Sequence, residues 1–337
     1  MFCRCSGKDE FPHLPVASSL NEAEDVPIED FASSIRRVQL ETNDDILISN
    51  ISNVLETDEF FIVSHASRLS VFDKDGKYMN DISSKGQGPH EFNDISSIFI
   101  KDGLLYLYDA SRRAVLIFTF EGEFVRSFST GKRYSSIFPL RSNDYVAFQR
   151  SMSGKEKAKL VFFDESAVSD TIYYDREYLK AVNIVFTFDK EGYVYNCDGE
   201  DYFKELYSDT LFTVQPDHTL EPRLIFDLGG YQPTLEWKHA ITDVINHVWD
   251  RAHLFIIGET SSHLFFNVRM NRETSTCYWD KRRKSLHNAR LAYPPDYGYE
   301  GAFVPKAVSE DRRHLISVEN DTAGDNNPAL IIATLKE

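Results

Sequence analysis

The chain has no run of 18 apolar residues, so it offers no membrane-spanning helix, and as written it opens without a secretory signal segment. Cysteine is scarce, with four in 337 residues. No Cys-x-x-Cys is matched by a second pair, which argues against a structural zinc site. Cys197 and Cys277 each lie in a strand-like apolar context and read as small buried thiols. Positive charge is also short: 37 Lys plus Arg stand against 53 Asp plus Glu, a formal net charge of −16. Such a surface repels phosphate backbones, so nucleic acid is not an expected partner, and Lys281-Arg282-Arg283-Lys284 reads as a solvated hairpin tip.

Catalytic signatures are missing too. There is no Gly-x-Ser-x-Gly nucleophile elbow. His90-Glu91 is not followed by a second His at the metalloprotease spacing. Asp73-Lys74-Asp75-Gly76 begins like a calcium loop but has Lys77 at the fifth position and no Glu at the twelfth, so it reads as a hairpin turn. The polar stretch from Asn320 to Asn327 has carboxylates and amides enough for calcium, yet a solvated hairpin tip explains it more simply. Gly86-Gln87-Gly88-Pro89 lacks a third glycine and opens a strand rather than a helix. Its glycines are therefore expected to supply positive φ in a crossing between repeats, without binding phosphate.

What is abundant is aromatic: 25 Phe and 17 Tyr, gathered in short apolar runs typical of strands. These runs repeat. Val71-Phe72-Asp73 with its glycine turn recurs 46 residues on as Ile117-Phe118-Thr119, with Gly122 in the place of Gly76. Val161-Phe162-Phe163 follows after 45 residues, and Leu211-Phe212-Thr213 after a further 49. Thr276 to Asp280 and Leu330 to Ala333 complete a series of six. This period fits an all-β, six-bladed β-propeller in which each run is the third strand of a four-stranded blade. The last blade lacks a fourth strand, because the sequence stops soon after Ala333. The strand-like Ile35 to Leu40, which has no partner of its own, is expected to complete it and close the ring. One segment, residues 231–253, shifts to helical spacing through Leu235, Ile241, Val244, Ile245 and Val248, with Pro233-Thr234 as its start. The expected organisation is a polar tether over residues 1–30 and one propeller domain over residues 31–337.

Leu69 to Tyr78, followed by Ser84-Lys85-Gly86-Gln87-Gly88-Pro89-His90-Glu91-Phe92, resembles an NHL-type propeller repeat. Over its full length the chain is similar to the six-bladed β-propeller lipoproteins of Bacteroides-type bacteria. The resemblance is carried by Cys5-Ser6-Gly7-Lys8, by Gln39 to Asp45, by the glycine loop, by Ser208-Asp209-Thr210-Leu211 and by Asn327-Pro328-Ala329-Leu330. The stretch from Leu291 to Phe303 departs from that pattern. The resemblance implies a cell-envelope location, at the outer-membrane surface or in the periplasm. It makes Cys5, or failing that Cys3, a lipid anchor preceded by an absent signal segment, and that anchor the one link to a membrane.

Topology indicates where a ligand would sit. In a propeller, the loops between strands two and three share one rim with the crossings between blades. The loops assigned to that rim carry His65, Arg68, Lys85, Gln87, His90, Glu91, Arg112, Arg113 and Arg150, together with Tyr202 in the stretch Asp198 to Lys204. A basic rim on an acidic body favours an anionic or hydroxyl-rich ligand such as an acidic sugar, with Tyr202 stacking on a sugar face. The leading expectation is a monomeric, non-catalytic binding or scaffold propeller that takes a glycan or an envelope protein and needs no cofactor. The alternative is a calcium-dependent hydrolase or lactonase using the channel, for which Asp94 and Asn183 are the only inner-strand candidates. A third reading, a partner-binding ring, expects an exposed apolar patch at the insertion.

Overall fold

The computed structural model describes residues 11–21, 23–65, 68–181, 186–294, 297, 301–321, 324 and 326–336. Six separate sheets form the blades of a propeller. Blade 1 comprises Ile51–Glu56, Phe60–His65, Arg68–Asp73 and Tyr78–Ser84, in sequence order from the channel outward. Blade 2 follows with Ser97–Lys101, Leu104–Asp109, Ala114–Phe118 and Phe124–Ser129, and blade 3 with Ser136–Pro139, Tyr145–Phe148, Ala158–Phe163 and Val168–Tyr173. Blade 4 takes Gly192–Cys197, Glu200–Glu205, Thr210–Val214 and Leu220–Phe226. Blade 5 takes His253–Glu259, His263–Met270, Glu273–Asp280 and Ser285–Ala292. Every run of the 45- to 67-residue series is a third strand, as expected.

Each blade is apolar on both faces because each is packed on both sides. Six hydrophobic clusters follow, one for each seam between neighbouring blades. Phe61, Phe72, Phe118, Phe162, Phe203 and Phe265 are fully buried in them. Truncating any one to Ala is expected to cost about 3–5 kcal/mol. The recurring turn glycines have a positional reason. Gly76 and Gly122 sit at φ +86° and +88°, and a Cβ on either would run into the preceding blade, at the carbonyls of Gln39 and Asp81.

The ring closes as the count required. Blade 6 has Ala307–Val308, His314–Glu319 and Ala329–Leu335, and its fourth strand is Ala32–Gln39, antiparallel, with Leu330 opposite Val38. Two segments that stood out in the sequence meet at this seam. The buried Asn327 side chain accepts the Ile48 N–H at 2.6 Å and donates to the Glu41 carbonyl at 2.6 Å, while Gln39 Nε2 donates to the Asn327 carbonyl at 2.6 Å. Asn327 is thus a structural fastener. Asp73 Oδ1 accepts the N–H groups of Asp75 and Lys77, each at 2.9 Å, which makes that segment a hairpin turn as expected.

Two expectations need correction. Of the tether expected over residues 1–30, the described part, from residue 11, is built into the ring. His13–Leu14 adds a parallel fifth strand to blade 4, and Glu24–Pro27 does the same for blade 5. Leu14, Val16, Val26 and Ile28 are buried in the seam clusters, and these few apolar residues outweigh the polar composition around them. The Gly86 and Gly88 loop needs small residues for a different reason than positive φ, which neither adopts. A Cβ on Gly86 would collide with the Glu91 carboxylate, which accepts the Gly88 N–H at 2.7 Å. Finally, Ala302–Phe303, from the divergent stretch, pairs with the outer strand of blade 5 and precedes blade 6. The anchor candidates Cys3 and Cys5 lie outside the described residues, as does Asn183.

Candidate ligand-binding face

Second-to-third-strand loops and inter-blade crossings share one face, and the residues expected on its rim are mostly committed to internal bonds. His65 is buried, with Nε2 3.0 Å from Ser70 Oγ, which donates to Asp81 at 2.6 Å; burial lowers the His65 pKa. Arg68 bonds the Asp45 carbonyl and the Asp81 carboxylate. Arg112 donates to the carbonyls of Glu91 and Gly88, so it and Glu91 brace the glycine loop. His90 stacks on Phe124 with centroids 4.2 Å apart, and Gln87 bonds Asn93. Lys85 and Arg113 are exposed. Arg150 bonds the Phe188 carbonyl at 2.9 Å. Tyr202 is a correction: Asp198-Gly199 joins the first and second strands of blade 4, so the loop lies on the opposite face. The Tyr202 ring is buried and covered by the Arg223 guanidinium, 3.8 Å from its centroid.

The structure gathers a different set on the insertion face. The helical spacing resolves into Leu235–Ala240, capped by Thr234, and Val244–His247, capped by Asp243, followed by a 3-10 turn over Val248–Asp250. Beneath them lies a seventh, smaller apolar cluster of Leu206, Tyr207 and Leu235, against which Phe188, Trp237 and Phe255 pack. Trp249 joins it edge-on to Phe188, with centroids 5.8 Å apart.

Buried charge holds this cluster in place. Glu191 accepts Lys238 Nζ at 2.8 Å, the Phe188 N–H at 3.1 Å and the Tyr207 hydroxyl at 3.3 Å. One carboxylate therefore positions both the helix and the Phe188 segment. Burial lowers the Lys238 pKa, and the nearby Glu191 charge opposes that shift. His239 Nε2 lies 2.9 Å from Ser151 Oγ, tying the helix to blade 3; both residues are buried, so this serine–histidine pair is a link and not an exposed nucleophile.

His253, the first residue of the inner strand of blade 5, is fully buried among Phe188, Trp237 and Trp249, with centroid distances of 4.5, 5.8 and 5.8 Å. Burial drives its pKa down to about 4, against backbone groups of Arg269 and Arg251, so the ring is neutral at pH 7. No side chain hydrogen-bonds its nitrogens, which face backbone groups of Arg269 and Arg251. On this face Glu205 Oε1 and Gln232 Oε1 are buried without a hydrogen-bond partner in the protein, and Arg150 Nε lies 3.4 Å from Glu191. Beside Trp249 a recess of 370 Å³ is lined by Arg269, Arg272, Glu273 and Thr274.

On the opposite face, buried ion networks tie neighbouring blades together. Glu259, fully buried, accepts both guanidinium nitrogens of Arg223, at 2.8 and 2.6 Å, the Tyr195 hydroxyl at 2.6 Å, and lies 2.5 Å from Lys281 Nζ. Burial raises the Glu259 pKa, but Arg223 and then Lys281 bring it below the ordinary value. From blade 6, Arg312 donates to the carbonyls of Glu259 and Asn196, joining three blades. The same plan recurs in blade 1, where Lys74 and His314 hold Glu56 at 2.6 and 3.0 Å.

Sequence reasoning picked out the insertion but missed Trp249, His253, Arg269 and Arg272. A usable signal was the dipeptide Asn271-Arg272 between two strands, where Asn-Gly is the favoured turn. Among the described residues no group of three or more His, Cys, Asp and Glu side chains is placed to hold a metal ion.

The profile of a family described as a domain of unknown function, DUF4934, matches residues 11–330. No curated protein matches the chain. Among solved structures, a protein of Bacteroides fragilis described as exported superposes with a TM-score of 0.73 at 17% identity, over 97% of this chain and 100% of that one. A DUF4221-family member from Bacteroides vulgatus gives 0.58 at 12% identity, over 90% and 97%. Both likenesses are of fold.

Proposed function

The chain belongs to the DUF4934 family, and on that footing we propose that it is a binding propeller of the cell envelope that captures an acidic or hydroxyl-rich glycan on the insertion face. The observation that carries this reading is the aromatic wall of Phe188, Trp237 and Trp249 beside buried polar atoms that lack partners. Buried polar groups are nearly always hydrogen-bonded, and each exception calls for a physical reason, of which a partner supplied from outside the chain is one. Aromatic faces with polar groups at their edges suit sugar rings, which are apolar on their faces and hydroxylated at their rims. The envelope location is supported by the exported Bacteroides fragilis protein of the same fold. Anchorage through Cys5 belongs to this proposal and is tested by mass spectrometry of the native protein.

Isothermal titration of the full chain against acidic and neutral oligosaccharides is expected to give heats from at least one acidic member. A panel without response would overturn the reading. A second reading, docking of a protein partner, draws on Leu179, Ile245 and Tyr231, which are 90, 77 and 49% exposed on the insertion face and its neighbouring crossing. It expects Ile245→Asp to abolish co-purification of one defined envelope protein while leaving saccharide heats unchanged.

A further inference from the structure

We infer that the recess beside Trp249 is a subsite for one carboxylate-bearing sugar ring, read by Arg269 and Arg272; this rests on the glycan-binding reading and specifies its chemistry. The recess, at 370 Å³, is at the small end of ligand pockets. Trp249 is half-buried and supplies a ring face. The two arginines are exposed, and among the described residues neither makes an ion pair. Arg269 is steadied by lying over the Phe255 ring, 5.4 Å from its centroid.

The backbone is built for this placement. Met270 pairs directly with Glu273, so Asn271-Arg272 is a two-residue hairpin turn with φ of +53° and +65°. Glycine is the favoured second residue of such a turn, and a long side chain there is strained. Arg272 occupies it nonetheless, which directs a guanidinium to the recess. The turn is registered to the aromatic wall: the Asn271 N–H donates to the Trp249 carbonyl at 2.7 Å. A planar guanidinium matches a carboxylate through two parallel hydrogen bonds, and a pair of guanidiniums discriminates strongly for that group. Glu273 and Thr274, also in the lining, are placed to accept and donate hydrogen bonds to ring hydroxyls.

The test is titration of the full chain with a galacturonic acid tetramer, with the same tetramer after its carboxyls are reduced to alcohols, and with a sulfated neutral tetrasaccharide. The carboxylated probe is expected to bind at least tenfold more tightly than either control. Arg272→Gly relieves the strained turn, so it keeps the fold, and is expected to weaken only the carboxylated probe, about tenfold or more. Trp249→Ala is expected to weaken the carboxylated and reduced probes alike. Equal binding of the carboxylated and reduced tetramers, preference for the sulfated probe, or an unchanged affinity in Arg272→Gly would overturn the subsite while leaving a glycan-binding face. Silence from every saccharide would overturn the glycan reading itself.

Discussion

The two mouths of the ring differ in how completely they satisfy their buried polar atoms. At one, Glu259 and Glu56 are each surrounded by cations and donors, and Arg312 spans three blades. At the other, Glu205 and Gln232 each keep a buried oxygen without a partner in the protein, and His253 is boxed by aromatic rings. The first arrangement favours rigidity, because the desolvated carboxylates of Glu259 and Glu56 are compensated. The second leaves hydrogen-bonding capacity unused, which costs stability unless something else fills it. The glycan proposal therefore belongs on the insertion face.

The strongest test of this contrast is Glu259→Ala. Removing one partner from a buried ion network strands the others, so a loss of about 3–5 kcal/mol in urea-monitored stability is expected. A loss near zero would erase the distinction between the mouths.

Acid titration comes next. The folded His253 has a pKa of about 4 against an ordinary 6.5, so the unfolded chain binds the proton more readily. Its contribution is present in full above pH 6.5 and is lost as the pH falls toward 4, by up to about 3 kcal/mol. Burial shifts His65, His239 and His263 in the same direction. The depressed Glu56 and Glu259 act lower: their contribution is present above the ordinary carboxyl pKa and fades as pH falls through the folded value. Urea melts at pH 7.5, 6, 5 and about 3.5 separate the two windows, and His253→Phe is expected to flatten the upper one.

At pH 7.5 the same substitution replaces a buried imidazole in an aromatic box by an apolar ring, and a gain of about 1 kcal/mol is expected, read as a higher urea midpoint. A loss there would mean that the backbone contacts of the ring outweigh the cost of burying its nitrogens. The smallest effect is expected from Arg272→Gly. Relief of a left-handed backbone at a bulky residue is expected to raise stability by about 1 kcal/mol or less, seen as a small rise in Tm.

The fold was legible and the site was not, for a common reason. Strands packed on both sides must be apolar at nearly every position, so Val71-Phe72 or Leu330 to Ala333 announce themselves locally. Ring closure was countable, because one strand lacked a partner and one blade lacked a strand. The fifth strands at residues 13–14 and 24–27 escaped notice because a handful of apolar side chains anchors each within a polar stretch. Most of the rim residues lie in second-to-third-strand loops and inter-blade crossings, but whether an arginine there is free depends on neighbours distant in sequence. Arg112 is used by Gly88 and Glu91; Arg150 is drawn to the Phe188 carbonyl and lies 3.4 Å from Glu191.

By itself the sequence determined the number of blades, the identity of each third strand, the closing strand and the presence of one helical insertion. These follow from periodicity and from the need to satisfy sheet edges, both of which are local or countable. Only the tertiary structure decided which buried charges pair and which polar atoms stay unsatisfied. Glu259 meets Arg223 across 36 residues, and Lys238 meets Glu191 across 47. Pairings at that range are set by how blades pack around the axis, and a one-dimensional pattern does not encode them.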